Sequence, residues 1–214
     1  MKTATVILAN GDFPKRGGAA WRLLAAAKRV VCCDGAAAAY RRRFRAWPTA
    51  IVGDFDSFRP APVQAGKQFQ ADGRCIVVRN PDQETNDLEK AIAYCAKRGW
   101  KRPVIVGATG KREDHTIGNV FRALAAGLTV VTDTGVFEPV CGRRTFRARK
   151  DAGVSVFAPD PETKMTSRGL RWPLGGVRFD SLYRATLNRT SAPTFTVTSD
   201  RPVSVYVETR PLSI

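Results

Sequence analysis

The chain has 214 residues, of which 43% are hydrophobic, and a formal net charge of +16 at pH 7. This length and apolar content suffice for one large or two small domains with a buried core. Charged residues or glycine interrupt every apolar run before it reaches the length of a membrane span, so the composition excludes a helical membrane protein and predicts a soluble one. The five cysteines include no CxxC pair, which indicates buried free thiols in a reducing cytoplasm rather than a disulfide framework or a zinc site.

The strong positive charge predicts attraction to polyanions without choosing among nucleic acid, nucleotide phosphates and an anionic membrane. Two clusters carry much of it, RRRFR at residues 41–45 and RRTFRARK at residues 143–150. Solvated arginine-rich faces are the more common explanation for such clusters. We favour that interpretation over nucleic-acid binding, which stays open as an alternative.

The first two thirds of the chain predict an α/β domain. Six short apolar runs are typical of strands, at residues 4–9, 30–33, 50–52, 75–78, 104–106 and 128–131. Several of the intervening segments have helical spacing, and strands that alternate with helices predict a mostly parallel, Rossmann-like sheet. The first run is interpreted as a strand rather than a signal peptide, because Asn10, Gly11 and Asp12 follow it instead of a cleavage site.

Two helices are predicted most clearly. One follows Thr85, with Thr85 or Asn86 as its N-cap, and places one apolar face inward, namely Leu88, Ala91, Ile92 and Cys95. The other covers about residues 114–126, and its predicted inward face consists of Ile117, Phe121, Leu124 and Ala125. The alanine tract at residues 36–39 is interpreted as part of a packed helix.

The last third of the chain predicts a different architecture. Helical spacing disappears after about residue 140, and short segments with alternating apolar residues take over, with frequent proline and glycine between them. This pattern is typical of an antiparallel sandwich or barrel. We therefore expect an α/β catalytic domain over residues 1–140 and a smaller β-sandwich domain over residues 141–214.

The segment PTAIVGDFDS, residues 48–57, points to a metal ion. Asp54 and Asp56 follow a short apolar strand, and on an extended backbone their carboxylates point the same way, about 7 Å apart. Like charges this close repel unless a cation lies between them, and a divalent ion that prefers oxygen ligands fits. The alternative is that Asp56 or Ser57 caps a following helix, which is the more common role of an isolated DxD.

Other polar segments are predicted to join these acids. Ligands bind outside the carboxyl ends of the strands in open parallel sheets. Polar residues or glycines follow the predicted strands at residues 10–12, 34–35, 54–56, 80–83 and 107–114. Their convergence on one edge of the sheet predicts a site for metal and phosphate.

Six segments together resemble the thiamine pyrophosphokinase family over essentially the whole chain. In order they are ILANGDFP (7–14), CCDGAA (32–37), PTAIVGDFDS (48–57), PDQETNDLEKAI (81–92), GATGKREDHTIGN (107–119) and RGLRWPL (168–174). The resemblance implies transfer of a pyrophosphoryl group from ATP to the hydroxyl of thiamine, with Mg²⁺ required. It also implies a homodimer whose thiamine site lies between the α/β domain of one subunit and the β domain of the other.

The resemblance also implies roles for the acidic residues. Attack on the β-phosphorus of ATP needs positioning and charge neutralisation, so Mg²⁺ held by carboxylates is the main catalytic device expected. Asp54, Asp56 and Asp87 are the expected metal ligands and catalytic residues. Favourable charge at a helix N-terminus is the alternative for Asp87. Asp114 is expected to hold Mg²⁺ or to accept the proton of the hydroxyl, and His115 to have a structural role at a helix start.

Residues of the loop 107–114 are expected to bind the nucleotide. Glycines allow close backbone approach there, Thr109 offers a hydroxyl, and Arg112 can donate two hydrogen bonds to phosphate. No GK[ST] follows, so the loop is not a Walker A motif. The full set of residues expected at the nucleotide is Asn10, Gly11, Asp34, Thr109, Gly110 and Arg112.

Thiamine is expected to contact Gln83, Trp172, Thr186 and Asn188, with phosphate as the alternative partner of Gln83. An aromatic face suits a cationic thiazolium ring, which is the role that the resemblance implies for Trp172. Lys90 belongs to the same motif as Gln83, with a surface ion pair as the alternative. Leu187 stands where the family has a small polar residue. A pyrophosphokinase for another alcohol therefore stays open as an alternative. The positive charge keeps a second alternative open, a basic nucleic-acid-binding or nucleotide-binding protein on the same fold.

Overall fold

The computed structural model describes residues 5–56, 68–71 and 75–209, with the backbone alone at 68–71. The chain forms two compact units, Met1–Arg122 and Ala123–Ile214. Residues 123–140 thus belong to the second unit, whereas the sequence placed them in the first domain. The functional boundary at residue 140 stays a prediction.

The described part of the first unit contains a six-stranded sheet. Its strands are β1 (Thr5–Leu8), β2 (Arg29–Cys33), β3 (Ala50–Gly53), β4 (Gln68–Ala71), β5 (Cys75–Arg79) and β6 (Val104–Val106). They lie in the order β6-β1-β2-β3-β5-β4, and all neighbours are parallel except β4, which pairs antiparallel with β5. The five strands predicted for this unit are confirmed, and β4 was not predicted. β1 and β3 are buried at every position, as expected for strands covered on both faces.

Four helices accompany this sheet, namely α1 (Ala19–Ala26), α2 (Ala36–Phe44), α3 (Asp87–Lys97) and α4 (Glu113–Ala125). α3 begins as predicted: the Asn86 side chain accepts from the Glu89 amide, and the Glu89 carboxylate accepts from the Asn86 amide. Helix α2 confirms the predicted helix over the alanine tract.

The inward face predicted for α4 is wrong in part. Ile117 is 60% exposed and Ala125 is exposed, while Leu124 is buried as expected. The buried side of α4 instead consists of Asn119, Val120, Ala123 and Leu124. The apolar residues of this helix cover more than one face, so spacing alone did not identify the packed one.

The described part of the second unit is an antiparallel β structure. Its strands are β7 (Val130–Val131), β8 (Gly135–Arg147), β9 (Gly153–Phe157), β10 (Met165–Arg168), β11 (Ala185–Arg189) and β12 (Thr194–Glu208). The long β12 pairs with β8 on both sides of a register shift between Ser199 and Val203. Its first half also pairs with β10 and its second half with β9. The predicted antiparallel architecture is confirmed.

Alternating apolar side chains form the core of this second unit. Val154, Val156, Phe195 and Val197 are buried, and the Phe195 ring stacks on Phe146 at a centroid distance of 4.7 Å. In the described ranges, no helix is long and apolar enough to cross a membrane.

Candidate functional site

Three aspartates meet at the carboxyl edge of the parallel sheet. Asp34 follows β2, Asp54 follows β3, and Asp87 is the first residue of α3. One carboxylate oxygen from each lies within 4.8 Å of the others. Three carboxylates at this separation repel one another and suit a divalent cation. We call Asp34, Asp54 and Asp87 the acidic cluster.

A buried lysine lies beside the acidic cluster. Lys90 Nζ lies 3.6 Å from Asp54 Oδ2 and 3.6 Å from Asp87 Oδ1. Lys90 is therefore not the surface ion pair considered from the sequence. Burial raises the pKa of Asp87, and the nearby Asp54 charge adds to this effect, while the Lys90 ammonium opposes it.

Asp56 lies outside the acidic cluster. The extended backbone expected from Asp54 to Asp56 is wrong, because Phe55 has a φ of 65°. The chain turns there, the Asp56 amide donates to Asp54 Oδ1 at 3.2 Å, and the Asp56 side chain is exposed. The structure thus brings Asp34, expected at the nucleotide, to Asp54 and Asp87. Metal binding by Asp56 stays a prediction.

Gly53, the last residue of β3, lets the backbone lie close to the acidic cluster. A Cβ atom at Gly53 would lie 2.8 Å from Asp34 Cβ and 3.3 Å from Asp87 Oδ1. Both distances are shorter than ordinary van der Waals contact. The last residue of β3 therefore has to be glycine for the cluster to keep this geometry.

The loop after β6 packs against the loop after β1. The Gly11 amide donates to the Gly107 carbonyl at 2.7 Å, and the Asp12 amide donates to the Thr109 carbonyl at 2.8 Å. Gly110 has a φ of 81°, and a side chain there would overlap the Asp12 carboxylate. These contacts fix the shape of the loop expected to face phosphate.

This loop borders a cavity of about 320 Å³ next to the acidic cluster. Thirteen residues line the cavity: Ala9, Asn10, Gly11, Cys33, Asn86, Asp87, Leu88, Ala108, Gly110, Lys111, Arg112, His115 and Asn119. Asn10, Gly11, Gly110 and Arg112 were predicted at the nucleotide. The sequence did not single out Lys111, whose ammonium donates to the Asn10 carbonyl at 3.0 Å and to Asn10 Oδ1 at 3.1 Å. Its position inside the motif at residues 107–119 was the one sequence feature that could have identified it.

Buried amides support the cavity wall. Asn119 donates to the Ala108 carbonyl at 3.0 Å and accepts from Asn86 Nδ2 at 3.4 Å. Asn86 is the N-cap of α3, so these bonds join α4, the loop after β6 and the start of α3. In the sequence, Asn119 was noticed only as the last residue of the motif at residues 107–119, and no role was predicted for it.

Arg112 and Asp114 bind each other at the surface. The guanidinium makes two hydrogen bonds to the carboxylate, at 3.1 and 2.6 Å. This contact lowers the pKa of Asp114. His115 is exposed at the same helix start. A carboxylate with a lowered pKa is a weak base, and a paired guanidinium has to change partner before it can bind phosphate.

A second, more open cavity shares Asn86 and Asp87 with the first. Its lining consists of Asp54, Gln83, Glu84, Thr85, Asn86, Asp87, Lys90 and Arg122. Gln83 is exposed there, and its amide donates to the Pro81 carbonyl at 3.2 Å. Asp82 accepts hydrogen bonds from Thr85 Oγ1 and the Glu84 amide, which lower its pKa and close a tight turn.

In the second unit, Asn188 fixes the backbone of Trp172. The Trp172 amide donates to Asn188 Oδ1 at 3.2 Å, and Asn188 Nδ2 donates to the Trp172 carbonyl at 2.7 Å. Asn188 is buried, while the Trp172 side chain is 54% exposed. The Arg171 guanidinium lies 5.6 Å from the centre of the Trp172 ring and is held by Asp151 at 2.7 Å.

The neighbouring residues face solvent. Leu187 is 85% exposed, has a φ of 62°, and lies at an irregularity of β11. Thr186 donates its hydroxyl to the Tyr183 carbonyl at 2.9 Å. Substrate contacts of Gln83, Thr186 and Asn188 stay predictions.

Comparisons with known proteins agree with this architecture. The solved structure of thiamin pyrophosphokinase from Candida albicans is similar over 97% of this chain and 90% of its own, with a TM-score of 0.73 and 16% identity. At this identity the likeness concerns the fold. The fold is that of a two-domain protein with an α/β unit and a β unit.

Family models identify the chain more closely. The model described as the catalytic domain of thiamin pyrophosphokinase matches residues 20–131, and the model of its substrate-binding domain matches residues 135–206. The chain therefore belongs to the thiamin pyrophosphokinase family, which confirms the resemblance found in the sequence.

Named relatives align over part of their length. Thiamine pyrophosphokinase 3 of rice is 35% identical over an alignment of 86 positions that covers 37% of this chain and 30% of the relative. Thiamine pyrophosphokinase 1 of Arabidopsis thaliana is 27% identical over 179 residues, 75% of this chain and 64% of the relative. The chain thus matches 30% of the length of the first relative and 64% of the length of the second.

Proposed function

We propose that this chain transfers a pyrophosphoryl group from ATP to the hydroxyl of thiamine, giving thiamine diphosphate and AMP, with Mg²⁺ as cofactor. The observation that carries the proposal is the acidic cluster at the carboxyl edge, next to a cavity bordered by a glycine-containing loop. Membership of the family supports the same reaction.

The residues present fit Mg²⁺. Their ligand atoms are carboxylate oxygens, which this ion prefers, and they lie close enough to share one ion. Asp34, Asp54 and Asp87 would hold it, and Asp56 would add a ligand if the turn at Phe55 rearranged. Bound there, Mg²⁺ would neutralise charge on the polyphosphate and polarise the phosphoryl oxygens.

Cationic side chains of this unit would position the polyphosphate. Lys111 and Arg112 line the first cavity, and Lys90 lines the second. Arg112 would exchange the Asp114 carboxylate for phosphate oxygens. That exchange would remove the hydrogen bonds that lower the pKa of Asp114, so the carboxylate would become a better acceptor for the proton of the hydroxyl.

Trp172 would provide the aromatic surface for the cationic ring of thiamine. Its exposure leaves ring surface available, and Asn188 holds its backbone in place. The Arg171 guanidinium near this ring would have to move away, because two cations repel. Exposed Tyr183 and Leu187 support a partner subunit covering this region in a homodimer.

An AMP-release assay tests the proposal. ATP, Mg²⁺ and thiamine together should give AMP and thiamine diphosphate, and omission of any one should abolish the product. Other alcohols in the same panel test substrate choice. This test is needed because Leu187 is apolar where the family has a small polar residue. Asp54→Asn should lose activity while remaining folded, which circular dichroism verifies. AMP release with another alcohol and none with thiamine would replace the proposed substrate.

The place of action is proposed to be the cytoplasm. Cys32, Cys33 and Cys95 are buried free thiols, and Cys141 is a free thiol at the surface. Free thiols of this kind persist in a reducing compartment.

A further inference from the structure

The sheet edge opposite the acidic cluster is strongly basic. Three segments lead into the parallel strands β2, β3 and β6, at residues 28–29, 41–49 and 97–103, and we call these segments the amino edge. They include the ends of α2 and α3 and the first residue of β2. Parallel strands start on the same side of a sheet, so the three segments lie together. They contain no acidic residue and ten basic ones: Lys28, Arg29, Arg41, Arg42, Arg43, Arg45, Lys97, Arg98, Lys101 and Arg102.

The charge of the amino edge is not neutralised within the described part of the chain. None of the ten basic residues has an ion pair with another described residue. Nine of the ten are exposed, and Arg29 is half-buried. A concentration of unpaired positive charge in one place produces a local potential that attracts a polyanion.

The dimensions of the amino edge suit a chain of phosphates. Strands β6, β1, β2 and β3 are consecutive neighbours in the sheet. At about 4.8 Å between strands, the starts of β6 and β3 are about 14 Å apart. Phosphates follow one another at about 3.4 Å along the axis on each strand of a duplex, so this distance covers about four of them.

Aromatic rings hold several of the guanidinium groups in place. The Arg41 guanidinium lies 4.3 Å from the centre of the Trp47 ring. Arg29 and Arg98 lie 5.2 and 5.6 Å from the centre of the Trp100 ring. A stacked guanidinium keeps its N–H groups available, so these arginines can donate to phosphate oxygens at a small entropic cost.

Helix stabilisation explains only part of this pattern. Cations at the C-terminal ends of α2 and α3 interact favourably with the helix dipoles. However, Arg45 and Arg102 have φ values of 51° and 50°, a conformation that favours glycine. Glycine at these two exposed positions would relieve backbone strain, whereas arginine keeps the strain and adds charge. The stability of the fold therefore does not explain why arginine occurs there.

We propose that the amino edge binds nucleic acid through its phosphate backbone, without sequence preference. This goes beyond the proposed reaction, which takes place at the opposite edge of the sheet. A membrane is a poorer partner, because the large hydrophobic side chains exposed in the described part of the chain all lie outside the amino edge.

Fluorescence anisotropy tests the proposal by measuring the affinity of the full chain for nucleic acid. The probes are a labelled 20-nucleotide single-stranded RNA and a DNA duplex of equal length. One variant carries Arg42→Gln, Arg45→Gln, Lys97→Gln and Lys101→Gln. A matched control carries Arg143→Gln, Arg147→Gln, Lys150→Gln and Lys164→Gln, all exposed residues of the second unit. Each variant lowers the net charge of +16 by four. Melting temperatures and circular dichroism verify that both fold.

The wild type should bind with an affinity that falls steeply with salt. The amino-edge variant should lose at least about tenfold in affinity and show a shallower salt slope, while the control loses less than about twofold. Equal losses in both variants would show that net charge alone attracts nucleic acid and would overturn the proposal. So would no binding by the wild type at 50 mM salt, or binding to phosphatidylserine vesicles alone.

Discussion

Lys90 Nζ lies 3.6 Å from Asp54 Oδ2, and the Lys90 side chain is only 2% exposed. The same ammonium lies equally far from Asp87. A buried ammonium needs counter-charge, and neighbouring carboxylates need a cation. Lys90 therefore stabilises the acidic cluster in the absence of a divalent ion and reduces the net charge that such an ion has to balance.

Removal of the Lys90 charge should destabilise the protein without Mg²⁺. In Lys90→Met the two carboxylates lose their cation, and we expect a loss of about 2 kcal/mol, below the ~3–5 kcal/mol of a fully buried pair because both carboxylates are partly exposed. Urea unfolding with and without Mg²⁺ measures this, and Mg²⁺ should stabilise the variant more than the wild type. Lys97→Met, at an exposed position of the same helix, is the control. Equal stability of the two variants would refute the role given to Lys90.

Substituting the aspartates one at a time should show which of them bind the metal ion. Asp54→Asn removes one carboxylate of the cluster, and we expect Mn²⁺ affinity to fall at least about tenfold. Asp56→Asn should have a smaller effect, because Asp56 reaches the cluster only if the turn at Phe55 changes. Isothermal titration with Mn²⁺ measures both, with Glu113→Gln as a control. A larger loss in Asp56→Asn would mean that the loop rearranges on metal binding.

Stability without metal should depend on the pH through Asp87. The pKa of Asp87 is raised in the folded state, so this state holds the proton more tightly than the unfolded state does. The resulting contribution to the free energy of unfolding is fully present below the ordinary pKa of 3.8, and it is lost as the pH rises through the raised pKa of the folded state. Asp87→Asn should remove this decline. Urea unfolding between about pH 4 and 7 provides the test, and an unchanged slope in the variant would contradict it.

Gly53→Ala should disturb the acidic cluster. The added Cβ would lie 2.8 Å from Asp34 Cβ, so the two chain segments have to move apart. We expect a loss of about 1–3 kcal/mol in the free energy of unfolding and weaker Mn²⁺ binding. Gly175→Ala is the control, because among the described residues no atom beyond its own chain neighbours lies within 4 Å of the added Cβ. If both variants were equally stable, the close approach at Gly53 would be unimportant.

The cysteines should differ sharply in reactivity. Burial raises the pKa of Cys95 to about 12 and raises those of Cys32 and Cys33, while Cys141 is exposed. Ellman's reagent should therefore label one thiol rapidly in the folded protein and five after unfolding. Stability should also fall as the pH rises from 9.0 towards 12, because the unfolded thiols ionise first. Fast labelling of the Cys141→Ser variant would contradict this assignment.

Local sequence patterns predicted the secondary structure well where the signals are strong. The β-branched runs of the parallel strands, the Asn86 capping box and the alternating valines of the second unit all correspond to observed elements. β4 was missed because its sequence QFQA has little apolar content. The packed face of α4 was misjudged because Ile117 fits a helical stripe that the fold leaves in solvent.

The sequence by itself determined the family, the change from an α/β region to an antiparallel β region, and the edge of the sheet at which polar residues gather. The tertiary structure alone decided which of these residues meet. Asp34 and Asp87 are 53 positions apart. The neighbouring places of β2 and β3 in the sheet bring Asp34 to Asp54, and the packing of α3 against these strands brings Asp87 to both. A turn at Phe55 keeps Asp56 away, and packing of α3 buries Lys90. Local patterns fix the conformation of a segment, whereas distances between segments depend on sheet order and packing.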